Sequence, residues 1–130
     1  MQILQPPGWA KPKGYANGIA AKGTHVFVAG QVGWTADCQW QTDDFAQQFA
    51  QALRNVVAVC AAAGAKPEHI VRLTWFITSK REYLAALKAI GAAYRDIMGR
   101  HYPTMTVVEI TALVEDRAKI EIEATAVIPE

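Results

Sequence analysis

Lys119-Ile120-Glu121-Ile122-Glu123-Ala124-Thr125-Ala126-Val127 alternates its side chains along its length. Ile120, Ile122, Ala124 and Ala126 fall on one side, and Glu121, Glu123 and Thr125 on the other. A period of two is that of a β-strand with one face buried and one face wet. Ahead of it runs His101-Tyr102-Pro103-Thr104-Met105-Thr106-Val107-Val108-Glu109, which is rich in β-branched residues. The two segments read as the last strands of the chain, Thr104 to Leu113 and Ala118 to Val127. The polar turn Glu115-Asp116-Arg117 joins them as a hairpin.

Working outward, Ile70 to Thr78 is another strand by composition. Ser79 and Glu82 form a capping box for a helix whose apolar stripe is Tyr83, Leu87, Ile90, Tyr94 and Ile97, closed by Gly99. An earlier helix has Thr42 as N-cap and Asp43 and Asp44 in its first turn. Its stripe is Phe45, Phe49, Leu53, Val56 and Cys60, running to about Ala63, and Gly64 ends it. Ile19-Ala20-Ala21 and His25 to Val32 read as two strands across a Lys22-Gly23 turn, and residues 1–14 as a Pro/Gly-rich arm. The order is β-β-α-β-α-β-β. This predicts an α+β fold, a mixed sheet with both helices on one face. The other sheet face is left for association with further copies.

The 130 residues fit a single domain, 1–130. At 52% hydrophobic and 19% charged, the chain has apolar surface to spare for a partner subunit. A net charge of +1 with no basic run argues against nucleic acid and against a polybasic membrane anchor. No stretch approaches the roughly 20 apolar residues of a membrane span. Met1 to Pro7 lacks the pattern of a secretory signal. Cys38 and Cys60 make no disulfide framework, and a cytoplasmic location is expected. His25, His69 and His101 have no metal-ligand spacing, so no metal is expected. A nucleophile elbow and a phosphate-binding glycine loop are both absent.

Several segments, in order and spacing, resemble the Rid family of reactive intermediate deaminases, also called YjgF-like or L-PSP. They are Gly14-Tyr15 with Gly18, Ala29-Gly30-Gln31, Ala63-Gly64 through Ile70-Val71, Tyr102-Pro103, Glu109, and Lys119 to Val127. The resemblance implies a chorismate-mutase-like fold and a homotrimer with ligand clefts between subunits. It also implies cofactor-free hydrolysis of enamine or imine intermediates to 2-keto acids and ammonia. Carried over by position, Tyr15, Gly30 and Gln31 line the pocket and Glu121 positions the attacking water. The loop Val114 to Ala118 is one residue longer than the family archetype, which leaves Glu123 as a second candidate. The family's carboxylate-binding arginine falls at Met105, and a helix asparagine near the pocket falls at Gly91.

An arginine–carboxylate pair contributes roughly 1.5–3 kcal/mol net, and a thioether supplies none of it. Met105 therefore implies a ligand with an apolar group there, or one whose anion is held by Arg72, Lys80 or Arg81. Of these, Arg72 lies within a strand. Trp34, like Trp9, reads as a pocket wall, an interface anchor or simple packing. Without the family, Glu121 sits on a solvated strand face and Tyr15 in a core or interface. The expected function is a variant imine or enamine deaminase. The alternative is a non-catalytic metabolite-binding trimer. An endoribonuclease or translation inhibitor is a remote third reading, since neither a histidine pair nor a basic stripe supports it.

Overall fold

The computed structural model describes all 130 residues. In chain order its elements are β1 (Gln2–Leu4), β2 (Gly18–Ala20), β3 (Gly23–Val32), α1 (Phe45–Ala62), a 3-10 turn (Pro67–His69), β4 (Ile70–Ile77), α2 (Lys80–Ala85), α3 (Leu87–Met98), β5 (Thr104–Glu109) and β6 (Ile120–Pro129). The main sheet has four strands in the order β3-β6-β4-β5. β6 is antiparallel to both of its neighbours, and β4 runs parallel to β5. The fold is α+β with its helices on one face of a mixed sheet, as the sequence predicts.

The alternation in β6 explains its inner place. Ile120, Ile122 and Ala126 are fully buried beneath the helices, beside Leu73, Trp75 and Ile77 of β4. α1 lays Phe49, Ala52, Leu53, Val56 and Cys60 over them, all fully buried. Each large apolar side chain so buried contributes about 1.5–3 kcal/mol. The ring of Trp75 packs 4.8 Å from Phe49 and 6.3 Å from Tyr83. Its indole N–H is buried without an acceptor.

Four details differ from expectation. First, β2 does not fold back on β3. It pairs with β1, Ile3 opposite Ile19, so part of the N-terminal arm is a strand. Gln5 ties the rest down by donating to the Trp9 and Ala10 carbonyls and accepting from Asn17. Gly23 instead enters the main sheet, where its backbone lies so close to the Ile128 carbonyl that no Cβ would fit.

Second, β5 stops at Glu109 and does not form a hairpin with β6. Both edges of β6 are already taken, by β3 and β4, so β5 goes to the free edge of β4. The Glu109 carboxylate then accepts from the Lys80 backbone N–H at 2.6 Å. Third, the expected second helix is broken at Ala86 (φ −106, ψ 8) into α2 and α3. Of the capping box, Ser79 Oγ does accept from the Glu82 N–H, while the Glu82 carboxylate pairs with Lys119 at 2.6 Å. Fourth, Asp44 rather than Thr42 caps α1, accepting from the Gln47 N–H, and Thr42 accepts from Asp44. Gly64 (φ +81) and Gly99 (φ +68) end their helices in the left-handed region, as expected.

The face of the sheet away from the helices carries mixed chemistry. Phe27 is 77% exposed there and Val108 40%, among Arg72, Thr74, Thr106 and Glu123.

Candidate functional site

Between Val28 and Gln31 the β3–β6 register slips, so that Ala29 and Gly30 together stand opposite Glu123. This is a β-bulge, a device that re-aims the backbone locally. The Gln31 side chain braces it by donating to the Ala29 carbonyl at 3.1 Å. The bulge seats Gly30 directly under the carboxylate of Glu121. A Cβ on Gly30 would lie 2.7 Å from Glu121 Cδ and 2.8 Å from Oε2. Glu121 is half-buried and stands across from Val32 and Phe76, whereas Glu123 is exposed. None of the four ion pairs of the chain involves Glu121.

Trp34 lies beyond this bulge. Its carbonyl, with that of Val32, accepts from Asn55 Nδ2 of α1 at 2.8 and 3.1 Å. Its ring tilts against Trp40 at 5.6 Å, and Arg117, held to Asp43, lies over Trp40. Trp34 thus anchors the loop to α1.

A second group forms at the other end of the sheet. Ala16 bridges Thr104 in parallel and donates to the Pro103 carbonyl, which places Tyr15 and Asn17 along the outer edge of β5. Beside them lies a concavity of about 550 Å³ lined by Tyr15, Asn17, Arg72, Thr104, Met105 and Thr125, among others. A register shift between Ile70 and Arg72 turns Arg72 onto the open face, opposite Thr104 and Thr125. Arg72 is exposed and joins no ion pair. Met105 is half-buried opposite Leu73 and packs against the main core. Lys80, Arg81 and Gly91 do not line this concavity.

The predicted site residues therefore fall into two groups, Gly30, Gln31 and Glu121 in one, and Tyr15, Arg72 and Met105 in the other. Arg72 and Phe76 are four residues apart in β4, as are their β6 partners Thr125 and Glu121. At about 3.3 Å per residue this is roughly 13 Å. A single chain does not bring the groups together.

Gln48 had no place in the sequence reading. It is fully buried, donates to the Thr42 and Arg117 carbonyls at 3.1 and 3.0 Å, and accepts from the Lys119 N–H at 2.8 Å. It ties the start of α1 to the strand that carries Glu121. The available signal was a glutamine on the apolar stripe, between Phe45 and Phe49. No three His, Cys, Asp or Glu side chains converge on a common point that could hold a metal. No helix is long and apolar enough to cross a membrane.

The family model described as Endoribonuclease L-PSP matches residues 9–128. The chain belongs to the Rid, or L-PSP, family. Among Rid relatives, the 2-iminobutanoate/2-iminopropanoate deaminase of Salmonella typhimurium is 32% identical, the match covering 87% of this chain and 86% of that protein. Among solved structures, the Rid protein YyfB of Yersinia pestis superposes with a TM-score of 0.84 at 28% identity, covering 98% of each chain. Escherichia coli TdcF, solved with bound serine, gives 0.70 at 31% identity, covering 98% of this chain and 99% of that one. The Rid relationship thus spans both groups of site residues.

Proposed function

We propose that this protein is a Rid-type deaminase that hydrolyses a reactive imine or enamine to a carbonyl compound and ammonia. The observation that carries this reading is the half-buried, unpaired carboxylate of Glu121 held against the Gly30 bulge. Water adds to the imine carbon while Glu121 takes its proton, and the same carboxylate returns a proton to the departing amine nitrogen. The backbone at Gly30 has no side chain to keep the reacting carbon away. The Salmonella relative named as an imino-acid deaminase supports the assignment.

The separation of the two groups supports a site shared between subunits of a homotrimer. Glu121 and Gly30 of one copy would face Tyr15 and Met105 of the next. The exposed Phe27 and Val108 on the open sheet face supply apolar surface for that assembly. Met105 gives the cleft a thioether wall where the family resemblance places a guanidinium, which favours an apolar substrate group at that point.

The test is ammonia release from freshly generated imines of several amino acids, aromatic ones included. The wild type is expected to be active, Glu121→Gln to lose at least a hundredfold, and Tyr15→Phe to lose less. A wild type silent on every imine would overturn the reading. Met105 would then favour a non-catalytic trimer that binds a metabolite and releases it unchanged. The ribonuclease in the family's description finds no histidine pair here. His69 Nδ1 accepts from the Lys66 N–H, and His101 Nε2 contacts the Ile70 carbonyl at 2.6 Å.

A further inference from the structure

The concavity beside Tyr15 contains a cation that nothing neutralises. Arg72 joins no ion pair, and its direct neighbours across the sheet are the hydroxyl side chains Thr104 and Thr125. Thr104 Oγ1 donates to the Val71 carbonyl, which pins it beside the bulge that turns Arg72 outward. Glu123 is the acid nearest in kind, sharing a small hollow with Arg72 and Phe27, yet the two side chains do not pair. A guanidinium carries its donors in a fixed fork that matches a carboxylate. The concavity is of mixed character, with Leu4, Ile19 and Met105 on its walls beside the polar Asn17, Thr104 and Thr106. The guanidinium suits an anion, and Leu4, Ile19 and Met105 offer a hydrocarbon group a wall to lie against.

Resting on the deaminase reading above, we infer that Arg72 is the residue that receives the substrate's acidic group. The protein thus keeps an anionic substrate class although position 105 is methionine. The substrate is a carboxylated imine or enamine whose carboxylate lies over Arg72. Its apolar side chain runs toward Met105. Arg72 acts by binding and orienting, and the chemistry stays with Glu121.

The test reads binding without turnover. 2-Ketobutyrate and phenylpyruvate, with 2-butanone as the uncharged control, are titrated into the wild type, Arg72→Met and Arg72→Lys and followed by NMR. Arg72 shares its sheet face with Phe27, so the melting temperature and oligomeric state of each variant are measured beside the titration, and Arg72→Lys, which keeps the charge, controls for a change in either. The wild type is expected to prefer the keto acids to the ketone. That preference should fall by roughly 10- to 100-fold in Arg72→Met, as loss of a charge-assisted bond implies, and recover in part in Arg72→Lys. Equal keto-acid affinity in Arg72→Met, or no keto-acid binding by the wild type, overturns the inference. Neither result bears on ammonia release from neutral imines. Conversely, silence in the ammonia assay with keto-acid binding that depends on Arg72 overturns the deaminase reading and leaves the anion site standing.

Discussion

Adding one methyl group at Gly30 separates catalysis from stability. In Gly30→Ala the new Cβ would start 2.7 Å from Glu121 Cδ, and ordinary contact begins at 3.4 Å, so the carboxyl group must retreat by about 0.7 Å. All three atoms it meets belong to the end of one flexible side chain, so the protein can yield there. Gly30 has no positive φ, and an alanine in a strand avoids the glycine entropy penalty of about 0.5–1 kcal/mol. The melting temperature is therefore expected to hold or rise slightly. Activity is expected to fall about 10- to 100-fold, because a misplacement near 1 Å can remove about two orders of magnitude. Gly33→Ala is the contrasting case. Its Cβ would meet the Gln48 carbonyl oxygen at 2.7 Å and Cα at 2.8 Å, backbone that cannot swing away. Overpacking there is expected to cost about 1–3 kcal/mol. The assays are thermal denaturation and ammonia release on each variant. The double variant Gly30→Ala with Glu121→Asp, whose shorter side chain withdraws from the methyl, should be more active than the product of the two single losses implies. Full kcat/KM in Gly30→Ala would refute the placement of the reaction at Glu121.

Gln48→Leu leaves part-buried backbone groups of Thr42, Arg117 and Lys119 without their partner, at about 1 kcal/mol for each, the low end of the usual penalty because water lies close to them. A drop in melting temperature of roughly 10 °C is expected, and a shift below a few degrees would mean that water replaces the amide. With the carboxylate over Arg72, Met105→Arg is expected to leave kcat/KM on 2-iminopropanoate unchanged or lower it, and a rise of about tenfold would place the carboxylate at position 105 instead. Burial pushes the Cys60 thiol above its ordinary 9.0 and the Tyr83 and Tyr94 phenols above 10.0, with Tyr102 adding to the shift at Tyr94. The folded state then holds protons that the unfolded chain gives up, so stability is full below about pH 9 and falls as pH rises further. Urea midpoints that stay flat between pH 8 and 11 would contradict this.

The sequence disclosed what is decided locally. The stripe of α1, the left-handed stop at Gly64, the Ser79 cap and the alternation of β6 are all set by neighbours within a turn or two. Strand partners are another matter. That β2 takes β1 and β5 takes β4 depends on which edges remain free once β6 is inside the sheet, and no short window of residues records it. The break at Ala86 has no glycine or proline to announce it. The site divides along the same line. Gly30 and Glu121 were legible through family resemblance, but the bulge that presses them together is a register slip between strands far apart in sequence. Met105 stood out as a departure from the pattern. Its packing against the core beside Leu73 had no signature in the residues around it.

The inner place of β6 also orders events in time. β3 has β6 as its one partner in the main sheet, and β4 needs it to be held on both sides. On a ribosome, β3 is made early and β6 near the end of the 130 residues. At about 5–20 residues per second the gap is on the order of ten seconds. Throughout that interval the apolar side of β3, with Val26 and Val28, has no strand beside it. A chaperone that shields nascent hydrophobic segments would find its natural client in this stretch of the unfinished chain, and slow synthesis would lengthen the exposure.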